Sequence, residues 1–318
     1  MDIKAGKNLI GIDIGGTTVK SAVISHEGKI ICRKVIPTRV GNNGELLCGD
    51  LIDLVNDLLL ATGLDKSTVA GVGIGCPGVI DSKRGVVIFS GNLQLKNCSL
   101  ACKVSESAGL PVKITNDANA AALGEAEYGA GKKYKNSILV TLGTGVGGGI
   151  ILNGKLFEGG SSAGTEIGHT VIVKDGLKCT CGRCGCFERY ASALALAEQT
   201  RAAMEENRRS QMWQGYTLET VSGKTPFDYM GTDFTAKAVV DKYVGYLACG
   251  IVNLINVFRP EAVMLGGGVS EQGERLTLPL QKLVNEQIFA GIDYAPAKII
   301  TAKLGNDAGI FGAAALFL

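Results

Sequence analysis

Histidine and tryptophan are scarce in this chain of 318 residues, which has two histidines and one tryptophan. An excess of charge of either sign is missing too, because 32 basic residues face 30 acidic ones. This balance speaks against nucleic acid or an anionic membrane surface as a partner, since both attract strongly basic proteins. An anionic ligand such as a nucleotide must therefore be held by a local arrangement of groups.

The sequence also lacks a targeting or membrane-spanning segment. The first residues, Met1 to Lys4, have no continuous apolar core of a signal peptide, and no later run reaches the roughly 20 apolar residues of a membrane helix. Ten cysteines are too sparse for a disulfide scaffold, and four of them fall between Cys179 and Cys186. We therefore expect a cytoplasmic protein whose clustered thiols bind a metal.

Glycine is abundant, with 45 residues, and hydrophobic residues make up 46% of the chain. Glycine without a repeat period favours tight turns and close approach of the backbone to a ligand. The length is about twice that of a typical domain, so we expect two lobes with a cleft between them.

Apolar spacing predicts an alternation of strands and helices. Strands at 9–14, 19–25 and 29–36 are expected to form an antiparallel meander. Later strands are predicted at 69–75, 112–114, 137–142, 150–152 and 262–265. Helices are predicted at 46–60, 99–108, 191–206 and 235–258, and the segment 304–309 leads into an apolar helix that folds back onto the first lobe.

Two loops rich in glycine and threonine are candidates for binding phosphate. Asp13 ends a predicted strand and is followed by Gly15, Gly16, Thr17 and Thr18. Backbone N–H groups and hydroxyls can surround a phosphate there, and the carboxylate can organise Mg2+ through water. An ordinary hairpin would also fit this loop alone, but the pattern recurs at 141–149. Neither loop has the Walker lysine, and both lead into strands, which disfavours a dinucleotide fold.

Asp117 is the candidate general base. It follows the predicted strand at 112–114 and opens an alanine-rich helix, so that its carboxylate lies at a strand-to-helix turn. Phosphoryl transfer to a sugar hydroxyl needs a carboxylate that positions the oxygen and takes its proton. Capping of the helix by Asp117 or Asn119 is the structural alternative. Burial would raise the pKa of Asp117 and the helix N-terminus would lower it, so the direction is open at this point.

The region 169–186 carries a candidate zinc site. One imidazole and three thiolates make the donor set of a closed structural zinc site, here His169, Cys179, Cys181 and Cys186. Cys184 adds a fourth thiol that can replace a neighbour. A dithiol at 181–184 with a redox role is the competing interpretation.

These motifs resemble the ROK family (repressors, open-reading-frame proteins, kinases) over almost the whole chain. The matching segments are 13–18, 116–120, 166–169, 179–188, 265–270 and 308–314. The resemblance implies an α/β, two-lobed actin-like ATPase fold of the ribonuclease H type, with a central cleft and a structural zinc loop. It places the smaller lobe at 1–117, completed by a helix at 304–318, and the larger lobe at 118–303.

The resemblance also implies an ATP-dependent kinase for the 6-hydroxyl of glucose, with Mg2+ and structural Zn2+, acting as a homodimer or homotetramer. Asp117 would be the base. The sugar would be bound by Asn92, Asn116, Asp117, Glu166, His169 and Glu188. The nucleotide would be bound by Asp13, Gly15, Gly16, Thr17, Thr18, Lys20, Thr144, Gly145, Gly267 and Gly268. His169 would place one ring nitrogen on zinc and the other on the sugar.

Several alternatives remain at this point. Family members that phosphorylate N-acetylmannosamine, N-acetylglucosamine, fructose, mannose or allose share nearly the same motifs. A family repressor would carry a helix-turn-helix domain before the Asp13 motif, where only twelve residues stand here. A sugar sensor without catalysis would leave both glycine loops unexplained. An actin-like filament or chaperone ATPase would have no use for Glu166, His169 and Glu188.

Overall fold

The structure is a computed structural model that describes residues 6–160, 164–291, 293–294 and 297–318. Met1 to Lys4 therefore lie outside the described residues. The strands are β1 (Asn8–Ile14), β2 (Thr18–Ile24), β3 (Ile30–Pro37), β4 (Val69–Cys76), β5 (Val79–Asp81), β6 (Val86–Ser90), β7 (Leu95–Cys98), β8 (Val112–Asn116), β9 (Ser137–Leu142), β10 (Val146–Leu152), β11 (Lys155–Phe157), β12 (Ala262–Gly266) and β13 (Lys298–Thr301). The helices are α1 (Glu45–Thr62), α2 (Leu100–Ala108), α3 (Asp117–Glu127), α4 (Glu188–Ala191), α5 (Ala193–Glu206), α6 (Thr225–Tyr229), α7 (Phe234–Phe258), α8 (Glu274–Gln287) and α9 (Ala308–Ala315).

The first sheet has the strand order β3-β2-β1-β4-β8. Its first three strands form the expected antiparallel meander, and β4 runs parallel to both β1 and β8. Parallel strands end at the same edge of a sheet, so the register places Asp13 beside Gly75 and Gly75 beside Thr115. This edge therefore brings the end of β1 close to the turn that leads into Asp117.

Alternating side chains cover the two faces of this sheet differently. Ile10, Ile12 and Ile14 of β1 pack into a large core with α1 and α2. Leu9 lies on the opposite face and packs against α9. The C-terminal apolar helix therefore packs on β1 and β4, as the sequence predicted.

Glycines allow α9 to approach its neighbours very closely. A Cβ atom on Gly73 of β4 would lie 1.7 Å from the Ala313 carbonyl oxygen. A Cβ on Gly312 of α9 would lie 1.5 Å from the Ala120 carbonyl oxygen of α3. No side chain fits at such distances, so glycine at both positions is a condition for this packing.

The second five-stranded sheet has the order β11-β10-β9-β12-β13. β12 runs parallel to β9 and β13, whereas β10 pairs antiparallel with β11. β10 begins at Val146, four residues before the strand predicted at 150–152. Glycine has a low strand propensity, so the beginning of β10 was not recognised in the sequence. At Gly148 the missing side chain is required, because a Cβ would lie 2.6 Å from the Leu139 carbonyl oxygen.

Several elements were missed by the sequence analysis. The three short strands β5, β6 and β7 form a sheet of their own, and α8 contains Pro279 in its interior. Strands of three to five residues carry too little periodicity to be recognised, and an internal proline usually ends a helix. The helix predicted at 191–206 corresponds to α5, which begins at Ala193 after its cap Ser192, and the short helix α4 before it was not predicted.

Helix α7 passes the length and hydropathy test of a membrane span, which the sequence analysis did not anticipate. It has 25 residues and a mean hydropathy of 1.4 over its most apolar window, and 61% of that window is buried inside the protein. Such burial is typical of a helix in the core of a globular domain.

The chain divides into two compact units. Unit 1 comprises Met1–Lys133, Gly149–Thr165 and Lys303–Leu318, and unit 2 comprises Tyr134–Gly148 and Glu166–Ala302. Unit 1 continues past residue 117, where the sequence analysis ended the first lobe, because α3 packs against α9. The boundaries of the lobes stay a prediction.

Glu125 is a fully buried carboxylate in unit 1. Its Oε1 atom accepts hydrogen bonds from the Lys303 and Leu304 N–H groups at 2.8 and 2.6 Å, and its Oε2 atom accepts from the Ala130 N–H at 2.8 Å.

In Glu125→Gln an NH2 group would face an N–H donor. We expect this variant to lose about 2 kcal/mol of unfolding free energy in urea titrations. The exposed Glu205→Gln should change stability little, and an equal loss in both variants would contradict the role of Glu125.

Candidate active site

Asp117 is the first residue of α3, and Asn116 is the residue that caps this helix. The Asn116 Oδ1 atom accepts from the Ala118 and Asn119 N–H groups at 2.9 and 3.2 Å. The alternative in which Asp117 or Asn119 is the cap is therefore wrong. The Asp117 carboxylate accepts from the Ala118 N–H at 2.9 Å. Burial raises the pKa of Asp117, although its hydrogen bonds with Ala118 and Asn116 oppose the rise.

Asp13 lies at the end of β1, where it is paired with Lys20 of β2. Burial and the negative charge of Asp117 raise the pKa of Asp13 to about 6, whereas Lys20 acts in the opposite direction. The structure therefore brings these two carboxylates together. Glycine makes room for them, because a Cβ on Gly309 would lie 2.6 Å from the Asp13 carboxyl carbon.

The first glycine loop, Gly15 to Thr18, joins β1 to β2 in unit 1. The Gly15 N–H donates to the Thr18 carbonyl at 2.9 Å, which closes the turn. Gly16 and Thr17 at its tip are exposed. The loop therefore offers backbone groups to solvent directly beyond Asp13.

Two predicted sugar ligands of unit 1 differ in their surroundings. The Asn116 Nδ2 atom donates to the Gly78 carbonyl at 3.2 Å, so both ends of this amide take part in the fold. Asn92 is exposed in the turn between β6 and β7. Their contact with sugar stays a prediction.

Glu158 was missed by the sequence analysis. Its Oε1 atom accepts from the Thr115 hydroxyl at 2.6 Å, and its Oε2 atom accepts from the Ser82 hydroxyl at 2.7 Å. Thr115 is fully buried and lies two residues before Asp117. Glu158 therefore braces the strand end that carries the candidate base. Nothing in the local sequence marks it, because its partners are 43 and 76 residues away.

The four candidate zinc ligands come together in unit 2. One ligand atom from each of His169, Cys179, Cys181 and Cys186 lies within 4.8 Å of the others. The His169 Nδ1 atom is 3.6 Å from the Cys179 Sγ atom, and the Cys181 and Cys186 Sγ atoms are 3.6 Å apart. Bonds of about 2.3 Å in a tetrahedron give ligand separations of roughly 3.8 Å. The fourth thiol, Cys184, is exposed and outside this group.

The thiols of this group differ in acidity. Burial raises the pKa of the Cys186 thiol to about 12, and burial also raises that of Cys179. The pKa of the exposed Cys181 is lowered, chiefly by the backbone N–H of Arg183. The donor set fits Zn2+, whose charge stabilises thiolates that burial would otherwise disfavour.

Two predicted sugar ligands lie beside the metal group. The Glu188 Oε1 atom accepts from the Cys179 thiol at 3.1 Å and is 3.6 Å from the His169 Nδ1 atom. Glu166 precedes the 3-10 turn Ile167–His169, and its carbonyl accepts from the His169 N–H at 3.1 Å. The turn therefore connects Glu166 to the candidate metal group.

The nucleotide residues predicted in unit 2 come from two neighbouring strand ends. Thr144 and Gly145 follow β9, and Gly267 and Gly268 follow β12, which runs parallel to β9. A Cβ on Gly267 would lie 2.4 Å from the Leu142 carbonyl oxygen, and one on Gly145 would lie 2.6 Å from the Glu188 Oε2 atom. Glycine at these two positions therefore keeps the loops compact beside Glu188.

Known proteins of similar sequence and structure cover nearly the whole chain. The ROK family model matches residues 9–318. A glucokinase of Halalkalibacterium halodurans is 38% identical over 307 residues, which cover 95% of this chain and 92% of that protein. A xylose repressor of Caldicellulosiruptor bescii is 30% identical over 313 residues. This match covers 98% of the present chain and 78% of the repressor.

A solved structure agrees with these sequence matches. It is a ROK family glucokinase from Streptomyces griseus in complex with glucose and AMPPNP. Its TM-score to this protein is 0.78 at 34% identity, with 97% of this chain and 98% of that chain covered. The fold class expected from the motifs, that of the actin-like ATPases, is thereby confirmed. The chain belongs to the ROK family.

Proposed function

We propose that this protein is a glucokinase that transfers the γ-phosphoryl group of ATP to the 6-hydroxyl of glucose, giving glucose 6-phosphate and ADP. The observation that supports this most is the pair of half-buried carboxylates at the edge of the first sheet, Asp117 and Asp13. The similarity to glucokinases favours glucose over the other sugars.

Asp117 would act as the general base. One of its oxygens is held by the Ala118 N–H, and the second would accept the proton of the sugar hydroxyl. The raised pKa makes the carboxylate a stronger base than an exposed aspartate. The cap by Asn116 and the brace by Glu158 fix the turn from which this side chain projects.

Mg2+ would be held through water by Asp13. The negative charges of the two neighbouring carboxylates repel each other, and the pKa of Asp13 is raised to about 6. A divalent cation would relieve this repulsion. When bound, the ion neutralises the phosphoryl charge. The backbone groups of Gly15 to Thr18 would orient the phosphates, with Thr144, Gly145, Gly267 and Gly268 as the nucleotide ligands of unit 2.

Zn2+ would be held by His169, Cys179, Cys181 and Cys186 and would stabilise the loop structurally. In this set the His169 Nδ1 atom would bind the metal, and the Nε2 atom of the same ring would be left to bind a sugar hydroxyl. Glu166 and Glu188 would bind further hydroxyls, because both carboxylates belong to segments connected to the same metal loop.

Cys186→Ser should bind zinc at well below one equivalent per chain, as measured by mass spectrometry of the metal. Removal of one ligand opens the site, so His169 loses its fixed orientation and the KM for glucose should rise about tenfold. Cys184→Ser is the matched control and should keep its zinc. Loss of zinc in Cys184→Ser with retention in Cys186→Ser would reassign the fourth ligand.

A coupled ADP-release assay with MgATP tests the proposed function. Glucose, mannose, fructose, N-acetylglucosamine and N-acetylmannosamine should be compared at equal concentrations, with a no-sugar reaction as background. Release that depends on glucose is the expected result. Release with another sugar and not with glucose would identify that sugar as the substrate. If folded, zinc-loaded protein is inactive with every sugar, the proposal that the protein is a kinase is contradicted.

We also infer a cytoplasmic homodimer or homotetramer, as the family resemblance implies. ATP and sugar phosphates are metabolites of the cytoplasm, which agrees with that location. Light scattering coupled to size exclusion should give two or four times the chain mass of 33.1 kDa, and a mass of one chain would contradict the assembly.

A further inference from the structure

We propose that Thr38 is a positioning residue that aims the backbone N–H groups of the first glycine loop at the phosphates of the nucleotide. The inference rests on the proposed function, because it deepens the role of the loop Gly15 to Thr18. Thr38 directly follows β3 and would not itself touch the ligand.

Thr38 holds two carbonyl groups of this loop. Its hydroxyl donates to the Gly15 carbonyl at 2.8 Å, and its N–H donates to the Thr17 carbonyl at 2.9 Å. In a two-residue hairpin turn the Gly15 carbonyl would accept from the Thr18 N–H. Here that carbonyl accepts from a side chain on the neighbouring strand end.

The direction of a carbonyl determines the direction of the next N–H. In a trans peptide the C=O of one residue and the N–H of the following residue point in opposite directions. Because the Gly15 carbonyl points to Thr38, the Gly16 N–H points away from it. The Thr17 carbonyl fixes the Thr18 N–H in the same way. Thr38 thus orients two N–H groups of the loop, and backbone N–H groups held in a turn can bind an anion.

The surroundings of the loop leave space for an anion at its tip. Gly16 is exposed, and a Cβ built on it would meet no atom within 4 Å. The position of Thr38 is fixed by its chain neighbour, because Pro37 is paired with Thr18 in the sheet. The fixed backbone of a proline makes this strand end a firm support for the loop.

Thr38→Val and Thr38→Ser separate the hydroxyl from the rest of the side chain. Valine has nearly the same shape but donates no hydrogen bond, whereas serine keeps the hydroxyl. Thr62→Val is the matched control in the same unit, since its hydroxyl donates to the Leu58 carbonyl at 2.7 Å at the end of α1. Binding of Mg-AMPPNP is measured by titration calorimetry without sugar, and KM values for ATP and glucose are measured in parallel.

Thr38→Val should bind Mg-AMPPNP about 5-fold more weakly, which corresponds to about 1 kcal/mol. Its KM for ATP should rise by a similar factor, while the KM for glucose stays within about twofold of wild type. Thr38→Ser should restore nucleotide affinity, and Thr62→Val should leave it unchanged.

Two results would overturn the inference alone. One is wild-type nucleotide affinity in Thr38→Val, and the other is an equal loss in Thr38→Val and Thr62→Val, which would indicate a general effect on stability. A wild-type protein that binds no Mg-AMPPNP would instead overturn the proposed function together with the inference.

Discussion

Asp117→Asn should lower kcat by at least about 100-fold while the affinity for glucose stays close to that of the wild type. Asparagine keeps the size of the side chain and can still accept the Ala118 N–H, so the turn and the sugar contacts should persist. It cannot take up the hydroxyl proton, and the loss of a general base costs roughly 100-fold or more. Steady-state kinetics and glucose binding by calorimetry measure the two effects separately.

Asp53→Asn provides the control, because it removes the same charge from an exposed position in unit 1. Near-normal turnover in Asp117→Asn would refute the role as base, and a similar loss in Asp53→Asn would indicate an effect of net charge. The wild-type pH profile gives an independent check. Since the pKa of Asp117 is raised above its usual 3.8, kcat/KM should fall as the pH drops through this raised value.

Gly312→Ala should destabilise the protein by about 3 kcal/mol or more. The added Cβ would lie 1.5 Å from the Ala120 carbonyl oxygen and 2.7 Å from the Gly124 nitrogen. Both atoms belong to the backbone of α3, so no change of rotamer relieves the clash and α9 must move. Thermal unfolding of the purified variant should begin at least about 6 °C lower, or the variant should accumulate in insoluble form.

Gly245→Ala in α7 is the matched control, because it makes the same substitution inside a helix. A Cβ there would meet no atom within 4 Å, so alanine should leave stability unchanged or raise it by about 0.5 kcal/mol through its better helix propensity. Equal melting temperatures for the two variants would mean that α9 tolerates displacement and that the close approach contributes little.

The regular elements with strong periodicity were predictable from the sequence. The antiparallel meander, α1 and α7 were found close to their bounds, because each has many apolar residues at one regular spacing. β10 begins earlier than predicted, because its glycines have low strand propensity; Gly148 is required instead by the nearby Leu139 backbone. Close contacts of this kind leave no periodic signal.

The candidate site shows the same contrast. Asp117 at its turn and the clustered cysteines were recognisable because their neighbours in sequence are also neighbours in space. Glu158 and Glu125 were not recognisable, because most of their hydrogen-bond partners are distant in sequence. The alternative in which Asp117 or Asn119 caps α3 was wrong, since several adjacent polar side chains can cap this helix and only the backbone geometry selects Asn116.

The sequence by itself determined the family, the type of most long elements and the residue types available for chemistry, since motifs and apolar spacing are local properties. Only the tertiary structure decided that Asp13 and Asp117 share one sheet edge, where burial and the negative charge of Asp117 raise the pKa of Asp13. It also decided that Thr38 holds the first glycine loop. Electrostatic coupling and hydrogen bonding act through space, so they depend on which residues the fold brings close together and not on how close these residues are in sequence.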